Sequence, residues 1–138
     1  MEVVNSRTIV HPTDLERSLE FYGSQLGLAV AREFGSGPFR GVVFFLGGGF
    51  LEISGHRDGT AAPVPAVPPV ALWVQVRNVA AAVGELSDRG VVIVRSPELE
   101  PWGLIEAWIE DPDGLRIHVV EIPEDHPIRR DVRDRPDG

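Results

Sequence analysis

"LERSLEFYGSQLGL" at residues 15–28 and "VAAAVGELSDRGVVI" at residues 79–93 decide the fold, because one unit is written twice. In the first stretch Leu15, Leu19, Tyr22 and Leu26 recur at helical spacing on one face. Thr13 and Glu16 form the Thr-x-x-Glu pattern, which predicts a helix start whose free N–H groups are capped. Gly27 is placed to end that helix in a left-handed conformation. In the second stretch Asn78 stands at the cap position, Val79, Val83 and Leu86 make the apolar stripe, and Gly90 ends the helix.

Strand patterns surround both helices in the same order. "NSRTIVH" precedes the first, and "LAVAREF", "GVVFFLG" and "FLEIS" follow it, the last two joined through the glycines at 47–49. "VALWVQV" precedes the second, and "VVIVR", "GLIEAWIE" and "LRIHVVEI" follow, the last two joined by "DPDG". The halves keep a nearly constant offset: Asp14 to Asn78 is 64 residues, Gly27 to Gly90 is 63, and Glu52 to His118 is 66. Each half reads as strand–helix–three strands. A single such sheet covers only one face, and two can enclose a cleft. The expected fold is therefore α+β, two βαβββ modules in tandem forming curved mixed sheets around one cleft. One domain spans 1–122, with halves at about 5–54 and 70–122. The proline-rich 55–69 links them, and a mixed-charge tail covers 123–138.

Bulk composition bounds the partners. At 138 residues the chain is about one domain, with 43% hydrophobic and 25% charged residues, ordinary for a globular protein. The net charge of −8 repels phosphate backbones, so nucleic acid is not an expected partner. No apolar run approaches ~18 residues, and the N-terminus lacks the basic and apolar regions of a secretion signal. There is no cysteine, which removes disulfides, thiolate metal sites and cysteine nucleophiles together. A cytoplasmic protein with no membrane partner is expected.

The helix signature "TDLERSLEFYGSQLGL", "PWG" before a strand and the "EDPDGLRIHVVE" hairpin together resemble the vicinal oxygen chelate superfamily. That group contains glyoxalase I, bleomycin-resistance proteins and extradiol dioxygenases. The resemblance covers about residues 5–122. It implies βαβββ modules around a pocket and a homodimer, in some members with strands shared between subunits. It also implies a divalent metal held by four side chains, one from the first and one from the last strand of each half. Carried over one at a time, the first position falls at Arg7, seven residues before Asp14, and the second at Glu52. The third falls at Ala71 and the fourth at His118. Arginine has no lone pair to offer, and alanine has no donor at all. His11 does not repair the set, since four strand residues separate it from Arg7 by roughly 13 Å against a bond of ~2.1 Å.

Strand alternation from those positions predicts an apolar and aromatic lining with a few polar groups, the usual character of a small-molecule site. Its expected ligand-binding residues are Arg7, His11, Phe50, Glu52, Trp73, Gln75, Trp108, Arg116 and His118, with either face open to Trp108. Each has a plainer reading: an Arg7–Glu52 ion pair, a core Trp73, or histidines satisfied by neighbours. Two functions follow. The first is a metal-free protein that sequesters an aromatic or antibiotic-like small molecule. The second is a lyase, isomerase or dioxygenase. In it Glu52 and His118 act as base and acid, or hold zinc, nickel, manganese or iron. The ligand's identity is not legible in the sequence.

Overall fold

The computed structural model describes residues 1–2, 4–55 and 70–127. Residues 56–69 of the expected linker and 128–138 of the expected tail lie outside these. The first module comprises β1 (Arg7–Val10), α1 (Leu15–Leu19), β2 (Val30–Phe34), β3 (Gly41–Leu46) and β4 (Gly49–Ser54). The second comprises β5 (Ala71–Gln75), α2 (Val79–Asp88), β6 (Ile93–Leu99), β7 (Ile105–Glu110) and β8 (Arg116–Glu121). Each builds one mixed four-stranded sheet, in the orders β1-β4-β3-β2 and β5-β8-β7-β6. In each sheet the module's first strand runs parallel to its last, and the other pairings are antiparallel. The tandem α+β architecture is the expected one. Among the described residues no helix is long and apolar enough to cross a membrane.

Local chemistry moves several details. The cap of α1 is Asp14, whose carboxylate accepts from Arg17 N at 3.1 Å; Thr13 instead bonds Asp113 across the modules. Asp and Thr compete for the cap, and Thr13 has a carboxylate partner elsewhere. The α-helix ends at Leu19 and continues as a π-helical turn, Glu20–Gln25, in which Leu26 N donates to Phe21 O. The wider turn places both Phe21 and Tyr22 in the core. Gly27 and Gly90 do end their helical segments, at φ 71° and 83°. β6 continues past the expected "VVIVR" through Pro97, which an edge strand tolerates because one row of its N–H groups is unpaired. The tail's first residues dock: His126 Nε2 lies 2.8 Å from Trp102 O.

One core joins the modules. Phe21, Tyr22, Phe44, Leu51 and Ile53 from the first pack in the same cluster as Leu86, Ile109, Ile117 and Val119 from the second. The helix-covered faces of the two sheets therefore look toward each other. Polar bonds cross the same seam. Tyr22 Oη donates to Asp111 at 2.8 Å, Thr13 bonds Asp113, and Gln25 Nε2 donates to Arg89 O at 3.1 Å. Asp111 Oδ1 also accepts from the N–H groups of Asp113 and Leu115, so one buried carboxylate shapes the β7–β8 turn and holds the first module's helix.

Burial, then the Asp111 charge and hydrogen bond, push the Tyr22 phenol's pKa up. A raised folded pKa gives stability that is complete below the unfolded value of about 10 and is lost as pH rises above it. Tyr22→Phe strips one partner from a buried carboxylate and is expected to cost about 1.5–3 kcal/mol at pH 7. It should also remove the tyrosine's part of the alkaline destabilisation. Urea unfolding of both proteins at pH 7 and pH 11 measures this; an unchanged midpoint at pH 7 would contradict it.

Candidate functional site

The strand registers assign every expected site residue to a face. On the first sheet Arg7 pairs with Phe50, Ile9 with Glu52, Val43 with Glu52 and Phe45 with Phe50. Side chains at paired positions share a face, so these form one surface, opposite to Leu51 and Ile53. On the second sheet Trp73 and Trp108 both pair with His118, Gln75 and Glu106 with Val120, and Ala71 and Glu110 with Arg116. That surface is opposite to Ile117 and Val119. Both surfaces are thus on the faces opposite to the residues of the shared core.

The expected residues consequently fall into two groups. Arg7, Phe50 and Glu52 belong to the first sheet; Trp73, Gln75, Trp108, Arg116 and His118 belong to the second. His11 lies just past the end of β1 and is exposed. The cavity between the modules, about 920 Å³, has a different lining, chiefly Tyr22, Leu51, Leu72, Leu86, Ile117 and Val119. Of the expected residues only Trp73 and Gln75 border it. Glu52 and His118 make no hydrogen bond to each other among the described residues, because each has a partner in its own module. The outward surfaces carry exposed apolar groups, Ile9, Phe45 and Trp73 among them.

On the first sheet Arg7 Nη1 donates to Glu52 Oε1 at 2.8 Å. Glu52 is only 8% exposed, so the guanidinium compensates a carboxylate that water barely reaches. The ring of Phe50 tilts against Phe45, with centroids 5.5 Å apart.

The second sheet holds a denser polar group. His118 Nδ1 lies 3.0 Å from Glu106 Oε1, and Trp102 Nε1 donates to Glu106 Oε2 at 2.7 Å. Arg95 stacks over the Trp108 ring at 3.8 Å and donates to the Glu106 carbonyl, while its charge is met by Glu100 and Glu98. Arg116 also approaches the Trp108 ring, at 4.8 Å, and pairs with Glu110. The His118 ring stands edge-on to Trp108 at 5.5 Å.

Glu106 is absent from the expected site, yet the sequence contains its position. The "DPDG" turn fixes the β7–β8 register, which puts Glu106, Trp108 and Glu110 on the face of His118. Arg95 has no such signal, since bulges interrupt the β6–β7 register on both sides of it.

This duplicated fold is that of a known family. A profile of the glyoxalase/bleomycin resistance protein/dioxygenase superfamily matches residues 7–119, and the chain belongs to that superfamily. A Synechocystis protein described as a probable lactoylglutathione lyase is 28% identical over 123 residues, 83% of this chain and 92% of its own. Two crystal structures of superfamily members share the fold. The Nocardioides protein has TM-score 0.72 at 21% identity, covering 91% of this chain and 87% of its own. The Sphaerobacter thermophilus protein has TM-score 0.68 at 23% identity, covering 87% and 98%.

Burial alone would raise the Glu106 pKa. The hydrogen bonds from His118 and Trp102 outweigh it and hold the carboxyl below its ordinary 4.5. A depressed folded pKa gives stability that is present above the unfolded value and lost as pH falls through the folded one. Glu106→Gln should therefore lose less stability than wild type between pH 5 and pH 3. Urea midpoints across that range check it; parallel losses in the two proteins would refute the assignment.

Proposed function

We propose that the chain is a small-molecule-binding protein of its superfamily that takes an aromatic or antibiotic-like ligand without the family's metal. The Arg7–Glu52 bond carries this reading. Of the four positions at which the family's enzymes hold metal, the first presents a permanent cation and the third, Ala71, presents nothing. Glu52, at the second, is engaged by that cation, and His118, at the fourth, is engaged by Glu106. A zinc site ordinarily needs three or four protein ligands, so this donor set does not fit the group. A guanidinium instead matches a carboxylate and occupies the cation's place by charge and by volume.

The ligand surface in this reading is assembled from two copies. The first sheet's outward face supplies Arg7, Phe50 and Glu52, and a second copy's outward face supplies Trp73, Gln75, Trp108, Arg116 and His118. Both β1 and β5 are edge strands with exposed residues, and association covers such edges. The trapped ligand would meet aromatic rings and a few fixed polar groups.

An enzyme of the same superfamily is the second reading, favoured by the description of the Synechocystis relative. It asks Glu52 and His118 to act on one substrate as acid and base or as metal ligands, which again needs faces from two copies.

Zinc titration calorimetry separates these readings. Wild type should show no stoichiometric zinc binding at submicromolar affinity. Arg7→His frees Glu52 and adds an imidazole on the same face; with His118 of a second copy it offers three ligands, and it should tighten zinc binding at least tenfold. Arg7→Ala should cost about 1–3 kcal/mol, by leaving a buried carboxylate unpaired. Stoichiometric, submicromolar zinc binding by wild type, unimproved in Arg7→His, would put the enzyme reading first.

A further inference from the structure

The outward face of the second module carries a buried carboxylate. Glu106 is 4% exposed and spends both oxygens on side chains: Oε2 on Trp102 Nε1 at 2.7 Å, and Oε1 on His118 Nδ1 at 3.0 Å. An ionised carboxylate only accepts hydrogen bonds, so the His118 nitrogen facing it carries the proton. In a neutral imidazole the other nitrogen is then an acceptor. His118 is itself part-exposed, its side chain retaining 28% of its accessibility on the outward face. Its neighbours there are aromatic: Trp108 edge-on, and Trp73 paired across β5–β8 and 48% exposed.

We propose that Glu106 is a positioning residue that locks His118 as the Nδ1–H tautomer, so that Nε2 offers a lone pair to the outward face. The ligand class follows: an aromatic molecule that carries a hydrogen-bond donor, a phenol or enol hydroxyl, beside its ring. This ligand class rests on the aromatic-ligand reading above, whereas the tautomer does not. The ring lies against tryptophan while its hydroxyl donates to Nε2. An aromatic ether of the same shape leaves Nε2 without a partner, and a desolvated acceptor left unpaired weakens binding.

Glu106→Gln turns this device around. Trp102 Nε1 still demands an acceptor, so the amide oxygen stays on Trp102 and the amide NH₂ faces His118. That group donates to Nδ1, and the imidazole proton moves to Nε2, which becomes a donor. Two readouts follow at pH 8.5. Long-range ¹H–¹⁵N spectra of the histidine ring should show protonated Nδ1 and bare Nε2 in wild type, and the reverse in Glu106→Gln. Titration with 2-naphthol and 2-methoxynaphthalene should show wild type favouring the naphthol at least fivefold, with that preference lost or inverted in Glu106→Gln.

A wild-type His118 with protonated Nε2 overturns the proposal, and this needs no variant to fold. A tautomer unchanged in Glu106→Gln overturns it equally. If both probes bind wild type without preference, the donor class is wrong although aromatic binding stands. If the tautomer switches but neither probe binds either protein, the aromatic-ligand reading fails while the Glu106–His118 geometry holds.

Discussion

The hydrogen bond between Tyr22 and Asp111 sets the arrangement of everything else. It is buried, it joins the two modules, and its carboxylate also organises the turn between β7 and β8. A phenol and an ionised carboxylate removed from water are tolerable only as partners. The first helix must therefore lie on the second module's turn, and the helix-covered faces of both sheets must share one core. The other face of each sheet has nowhere to go but outward. The placement of Arg7 and Glu52, and of His118 and its tryptophans, on sheet faces opposite to the core residues is a consequence of that seam.

Much of the fold was legible because it rests on periodicity and on glycine chemistry. The helical stripes, the left-handed Gly27 and Gly90, and the alternating strands each leave a local mark. What escaped depends on partners distant in sequence. Thr13 fits a capping pattern, yet Asp113, a hundred residues away, takes its hydroxyl and leaves Asp14 to cap. The π-helical turn at Glu20–Gln25 has no signature in spacing alone, since Leu15, Leu19 and Tyr22 read the same in a regular helix.

The site was legible to a different depth. Alternation put the residues expected on the strands together on one face of each sheet, because a strand's period is fixed at two. It carries no information on which way a whole sheet is turned, and that is why the faces of Glu52 and His118 read as one cleft. Glu106 lies outside the four positions that the family resemblance marks, so only the β7–β8 register points to it. Counting back from the turn at 111–114 places it beside His118 without any other knowledge. The pairing of Arg7 with Glu52 needed only the register of a parallel strand pair, and the carboxylate's burial explains why the arginine is held there.

The proposed sharing of the ligand surface between two copies follows from the outward faces, and spin-label distances test it most directly. The chain has no native cysteine, so Ile9→Cys and Trp73→Cys can each carry one label on an exposed position. A doubly labelled chain diluted with unlabelled protein reports the distance within one copy. A mixture of the two singly labelled chains reports the distance between copies. The account predicts a long distance within a chain and a shorter one between chains. A short distance within the single chain, with none between copies, would put both surfaces in one cleft and contradict it.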